Sequence, residues 1–155
     1  NDAPVWLGVC DGGDALLVTR LGRWVRFPIG MLESSGGQAV ALEQDDDIAC
    51  CAVLPEGAAE QAVHFIGADG AQFAVAASGL SAHKKPGAKT QGLARNWVAL
   101  ACGVAGRNDA ALMLGMNGDL IVSTLRSLPI AARPSEARPI NVAGQRLVAA
   151  AFGTN

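Results

Sequence analysis

His83, Lys84, Lys85 and Lys89 fall within the seven residues HKKPGAK, and three fixed positive charges in so short a span suit the binding of phosphates. Each lysine that neutralises a phosphate displaces condensed counterions, so such a loop would confer salt-dependent affinity for a polyanion without reading its bases. Arg95 follows a few residues later. Arg126, Arg133 and Arg138 surround a second loop, AARPSEARP (131–139), and Arg20, Arg23 and Arg26 lie close together near the start of the chain. These ten cations are the candidate contacts to a polyanion. Read without a partner, the same residues describe solvated loop tips and edge strands guarded against aggregation.

Other spacings offer less. Gly87-Ala88-Lys89-Thr90 falls short of the phosphate loop G-x-x-x-x-G-K-[ST], because an alanine separates glycine from lysine and no helical pattern follows. Glu43, Asp45, Asp46 and Asp47 could attract a hard cation, but they lack the spacing of a calcium loop and read as an acidic turn between strands. His64 sits in an apolar run with no serine or aspartate at a triad-like position, and reads as a packed histidine. The four cysteines, Cys10, Cys50, Cys51 and Cys102, form no C-x-x-C pair and have no histidines at zinc-ligand spacing. They recur in small apolar strands (WLGVC, IACCAV, ALACGV) and read as packing thiols, which suits a reducing compartment. No cofactor is expected.

Charge is unevenly shared. The chain has 155 residues and a formal net charge of −2, yet residues 14–60 carry −5, residues 61–108 carry +4 and residues 109–155 carry +1. A polyanion would therefore meet its surface in the second and third of these segments. No apolar run reaches the roughly 18 residues of a membrane span, so a soluble chain is expected, with no membrane partner. The opening NDAPVWLGVC lacks the basic start and long apolar stretch of a signal peptide, and the chain reads as a segment of a longer protein.

The elements that must position these residues follow from a repeat. Gly22, Gly70 and Gly118 stand 48 residues apart, and Leu32, Leu80 and Leu128 keep the same interval. Three units result: DALLVTRLGRWVRFPIGML, QAVHFIGADGAQFAVAASGL and DAALMLGMNGDLIVSTLRSL. Each has an apolar strand, a turn on the periodic glycine, and a second strand ending near the leucine. Asp69-Gly70 and Asn117-Gly118 are strong hairpin signals, since tight two-residue turns require positive φ. Third strands are expected at 38–42, around Leu93 and at 140–142, and fourth strands at 47–54, 97–104 and 146–152. Four strands per unit predict an all-β array of three propeller-like blades at 14–60, 61–108 and 109–155 within one domain. Residues 1–13 would supply an orphan strand (VWLGVC, 5–10) and a link. Trp24 and Trp97 should fill the blade interfaces rather than stack on bases.

The first unit resembles the repeat of the C-terminal β-pinwheel domain found in the A subunits of bacterial DNA gyrase and topoisomerase IV. Thr19, Gly22, Arg26, Leu32, Gly37, Val40, Leu42, Asp46 and Ile48 carry the likeness; units two and three keep the opening hairpin and blur the third strand around 87–96. The resemblance implies a bacterial, cytoplasmic, nucleoid-associated domain that binds and bends duplex DNA around its outer rim. It implies no catalysis by this segment, because the nucleophile of those enzymes is a tyrosine and this chain has none. The parent would be an ATP-dependent type II topoisomerase, and the remainder of its A subunit would be a partner. One departure stands out: the basic box Gln-(Arg/Lys)-Arg-Gly-Gly-x-Gly of strongly wrapping gyrases is missing, and the corresponding loop reads ESSGG. Weak contact of a topoisomerase IV-like kind is the expectation, and a protein-binding scaffold that has lost DNA is the alternative. Three blades and a stray strand fit either a piece of a longer propeller or a homodimer closing a six-bladed ring.

Overall fold

Each unit begins with a hairpin that its own residues dictate. The computed structural model describes residues 4–8, 10–32, 36–93, 97–141 and 143–154, and these form only strands, turns and three-residue 3-10 helices. β1 (Asp14–Thr19) pairs with β2 (Arg23–Pro28), β5 (Ala62–Gly67) with β6 (Ala71–Ala76), and β10 (Asp109–Gly115) with β11 (Leu120–Thr124). Gly22, Gly70 and Gly118 take φ of 72°, 82° and 89°, a region closed to most side chains, and their N–H groups bond to the carbonyls of Thr19, Gly67 and Gly115.

The interval of 48 persists in detail. Leu17 faces Val25, Phe65 faces Phe73, and Met113 faces Ile121. A register shift recurs at Val18/Thr19, Ile66/Gly67 and Leu114/Gly115, where the first strand meets the fourth. A one-turn 3-10 helix recurs at Ile29–Met31, Ala77–Gly79 and Leu125–Ser127. The fourth strands are β4 (Ile48–Leu54), β9 (Ala99–Ala105) and β14 (Leu147–Thr154), each antiparallel to the first strand of its unit. They pack beside one another at the inner edges of the three sheets.

The third strands differ from the expectation of four strands drawn from each unit. In units two and three they leave their own unit and join the preceding sheet. β8 (Gln91–Gly92) pairs with β2, giving the order β4-β1-β2-β8. Likewise β12 (Ile130–Ala131) and β13 (Ile140–Asn141) both pair with β6. β3 (Val40–Ala41) runs parallel to β7 (Ala88–Lys89), the segment at the same repeat position one unit on. The sheet of unit three holds β11, β10 and β14 alone among the described residues.

The sheets stack face to face. Leu16, Val18 and Trp24 of unit one meet Val63, Phe65, Phe73 and Val75 of unit two. Phe65 and Phe73 stack at 4.9 Å, and Trp97 sets its edge against Phe73 at 4.9 Å. Such aromatic pairs add roughly 0.5–1.5 kcal/mol each beyond their area, and both tryptophans fill the interface as expected. Ile66 and Ala101 of unit two meet Ala111, Met113, Leu125 and Leu147 of unit three.

The expected N-terminal strand is absent among residues 4–8 and 10, which pair with nothing. Val5 and Trp6 instead border a cleft of roughly 470 Å³ between the inner strands β4, β9 and β14.

Candidate nucleic-acid interface

The candidate cations divide into two groups. Those of unit one are committed within the fold. Arg26, on β2, is mostly buried; its Nε donates to Asp14 Oδ2 at 2.7 Å, and its Nη1 donates to the carbonyls of Ala77 (2.7 Å) and Leu80 (2.9 Å). It thereby ties β1 to the 3-10 turn of unit two. Arg23 pairs with Glu43 at 2.8 Å, while its Nε donates to Thr90 Oγ1 at 2.8 Å. Arg20 meets Asp47 at 3.1 Å on an exposed surface. The cluster that the sequence brought together is thus held by three carboxylates of the same unit.

The second group lies along the outer edges. After the 3-10 turn of unit two the chain reaches the edge of β2, where the His83 N–H bonds to the Arg26 carbonyl, and it returns to that edge as β8. The excursion between carries Lys84, Lys85 and Lys89, all exposed and without an ion pair among the described residues. Unit three repeats the path: β12 and β13 touch the edge of β6, and the excursion between them carries Arg133 and Arg138. Both arginines are exposed, and among the described residues Arg138 donates only to the carbonyl of its neighbour Ala137, at 3.2 Å. Arg126 is exposed on the 3-10 turn. Arg95 lies outside the described residues.

A groove of roughly 410 Å³ separates the two excursions, lined by Ser78, Ser81, Gln91, Arg133 and Ser135 beside Trp24. Hydroxyl, amide and guanidinium donors in such a groove are suited to phosphate oxygens. Ser78, Ser81, Gln91 and Ser135 carried no signal in the sequence, since serines in loops are common and their grouping comes from strand exchange. Arg107 and Arg146, exposed in turns and equally unpaired among the described residues, also escaped notice because each stands alone in sequence.

The remaining candidates have structural roles. Asp46 is buried, and its Oδ1 accepts the N–H groups of Leu21 (3.1 Å) and Asp47 (3.0 Å), fastening the acidic turn to the hairpin of unit one. Among the described residues no three His, Cys, Asp or Glu side chains gather in a metal-holding group. Cys50 and Cys102 are buried, Cys51 is half-buried, and all four cysteines are free. Burial, with Cys50 and Cys10 nearby, pushes the Cys51 thiol up to about 11. A hydrogen bond with Cys50, reinforced by burial, holds the Cys102 thiol well above its usual range, so these thiols stay protonated and unreactive. Cys10 departs from the expected pattern: it is exposed and in no strand. His64 is buried as anticipated.

Comparison with solved structures places this geometry in context. The C-terminal domain of DNA topoisomerase IV superposes with a TM-score of 0.73 over 90% of this chain, at 10% identity. The DNA gyrase A C-terminal domain does so with a TM-score of 0.75 over 95%, at 14% identity. The chain has their fold. It covers 46% and 51% of those two chains, about half of each. No protein-family model and no curated protein sequence matches it. The pinwheel architecture expected from the repeat is therefore present, and the exchanged third strands occur within that architecture. No helix among the described residues is long and apolar enough to cross a membrane.

Proposed function

We propose that this chain is a non-catalytic domain that binds duplex DNA through its phosphate backbone, within the A subunit of a type IIA topoisomerase. The observation that carries the reading is the exposure of Lys84, Lys85 and Lys89 on one outer-edge excursion and of Arg133 and Arg138 on the next, with Arg133 lining a groove of hydrogen-bond donors. Contacts of this kind fix the position of a duplex without reading its sequence. The pinwheel fold supports the choice of partner. The parent in this reading is an ATP-dependent enzyme of the bacterial cytoplasm, associated with the nucleoid, and the rest of its A subunit does the chemistry.

Binding would be of the topoisomerase IV-like kind. The loop of unit one reads ESSGG and has no basic box, and the arginines of that unit are occupied by Glu43, Asp47 and Asp14. DNA would touch units two and three and pass unit one with little attraction. The same neutralised first unit favours one other reading, a scaffold that binds protein and has lost DNA.

A gel-shift titration with linear duplex at two salt concentrations decides between them. Binding should be detectable near 50 mM salt and fall steeply by 200 mM, as counterion release requires. Replacing Lys84, Lys85 and Lys89 with alanine should lower affinity and flatten the log–log salt slope by about 2.7, at roughly 0.9 per phosphate contact. Absent or salt-insensitive binding would reject the DNA reading in favour of the scaffold.

A further inference from the structure

The joint between units one and two is closed by parts that the joint between units two and three lacks. At the first joint Asp14 and Arg26 form a largely buried ion pair, and Arg26 reaches on to the carbonyls of Ala77 and Leu80. The link from β4 to β5, PEGAAEQ (55–61), adds to the seal. Its 3-10 turn, Ala58–Glu60, sets Ala58 into the core that holds Leu16, Leu54 and Leu80. At the second joint, counting by 48, Ala62 stands in the place of Asp14 and Ala74 in that of Arg26. The strand registers agree: Leu16 faces Arg26 in unit one, and His64 faces Ala74 in unit two. The link from β9 to β10 is shortened to GRN (106–108), a plain turn.

A cleft of roughly 410 Å³ opens at this second joint, with Ala62, Val104, Ala105 and Ile130 as its apolar lining. That volume lies within the range of small-molecule sites. His64 also lines it, in the place that leucine holds in the other two units; the ring is 3% exposed, and Nδ1 has no hydrogen-bond partner among the described residues. A buried polar nitrogen left without a partner is costly, and a bound group that supplied one would recover that cost. Glu60 and Asp109 line the same cleft, and neither has an ion pair among the described residues. The Oδ2 of Asp109 accepts the Gly106 N–H at 2.7 Å. Arg107, exposed and equally unpaired, adds one positive charge to the lining. These acidic and imidazole groups do not gather into a metal-holding set. They suit a larger cation with N–H donors, and Arg107 suits an anionic group carried on the same molecule.

We propose that this cleft binds a small guanidinium compound with a carboxylate at its other end, the chemistry of free arginine. Its guanidinium takes the part that Arg26 plays at the first joint, donating to the carboxylates of Glu60 and Asp109 and to the unpartnered nitrogen of His64. Its aliphatic stem lies along Ala62, Val104 and Ile130, and its carboxylate pairs with Arg107, a geometry in which the guanidinium fork bonds both oxygens. The two carboxylates outnumber the one guanidinium of the lining, so the cleft disfavours phosphate. The inference is therefore independent of the DNA reading.

Titration of the 155-residue chain with arginine, without DNA and followed by the backbone amide resonances of Arg107 and Asp109, tests it. The shifts should saturate, with half-saturation near roughly 2 mM, as ordinary ligand efficiency gives for a molecule of this size. Norvaline, which keeps the amino acid and lacks the guanidinium, should give no saturable shift. Agmatine, which keeps the guanidinium and lacks the carboxylate, should bind about two- to fivefold more weakly, and Arg107→Gln should bring arginine to the same level. Ala62→Asp/Ala74→Arg copies the first joint into the second and should abolish binding by filling the cleft. If that variant fails to fold, the exposed Glu60→Gln replaces it and should weaken arginine about two- to fivefold. A wild-type chain that shows no saturation by about 20 mM arginine, tenfold above the expected midpoint, would overturn the proposal. So would equal shifts with norvaline, or an affinity for arginine that Glu60→Gln and Arg107→Gln leave unchanged.

Discussion

Units one and two are built from the same hairpin and put their cations to opposite uses. In unit one Arg20, Arg23 and Arg26 lie on or beside β2, within reach of carboxylates of their own unit, and all three are paired. In unit two Lys84, Lys85 and Lys89 lie on an excursion beyond the sheet edge, where no carboxylate follows among the described residues. The difference teaches that clustering of basic residues in sequence says little about a polyanion site. Acidic neighbours decide whether the charge is spent inside the fold or left outward. The lysines should control salt-dependent binding, and the arginines should control stability.

Arg26 gives the largest expected separation of the two. Arg26→Met would strand the largely buried carboxylate of Asp14 and leave the Ala77 and Leu80 carbonyls without their guanidinium donor. Breaking a buried pair on one side costs a few kcal/mol, and with the partial exposure here about 2–4 kcal/mol is expected in urea unfolding. At temperatures where the variant remains folded, the DNA salt slope should match that of the wild type. The lysine triple variant should do the reverse, losing slope while its unfolding free energy in urea changes by no more than about 0.5 kcal/mol. An Arg26 variant that lost slope at full stability would erase the distinction between the units.

Asp46 comes next. Its carboxylate serves the backbone N–H groups of Leu21 and Asp47, and Asp46→Ala should cost about 1–2 kcal/mol, as loss of a capping carboxylate usually does. The same variant separates structure from ion binding. Added calcium or magnesium should leave the melting temperature of the wild type unchanged, because the cluster acts as a turn. A cation-dependent rise that Asp46→Ala abolishes would restore the metal-site alternative.

Much of this was legible in the chain. The hairpins declare themselves because positive φ selects Gly and Asn-Gly at fixed places, and the fourth strands because they are long apolar runs. The third strands were legible only in position. Gln91–Gly92 and Ile140–Asn141 are two-residue pairings whose partner edge is a tertiary matter, and nothing in QG or IN says which sheet will receive them. VWLGVC has the composition of a strand, yet Val5 and Trp6 lie against the inner cleft unpaired. At the candidate interface the lysine loop was visible as a charge cluster. The engagement of Arg26 was not, because two of its three acceptors are backbone carbonyls more than fifty residues away, and carbonyls leave no mark in sequence.

The smallest effect concerns one position that the repeat fills unequally. Counting by 48, Leu16 and Leu112 stand where unit two has His64, buried between its own sheet and that of unit three. Among the described residues its Nδ1 has no hydrogen-bond partner, and its ring lies 6.1 Å from that of Phe152. Burial lowers its pKa below the usual 6.5, outweighing a hydrogen bond with the Ala105 backbone and the charge of Asp109, which act in the other direction. The neutral ring is therefore the native form. The unfolded chain takes up a proton at higher pH than the folded one, so the stability tied to this group is complete above about pH 6.5 and is lost as pH falls through the folded pKa. Glu60, Arg107 and Asp109 line the neighbouring cleft. His64→Leu restores the residue of the other two units and removes only the histidine contribution. Its melting temperature should change little at pH 7.5 and exceed that of the wild type at pH 5, measured side by side in one buffer series. Parallel curves for the two proteins across that range would mean that the ring is protonated at no cost, and that the repeat tolerates a cation between its second and third sheets.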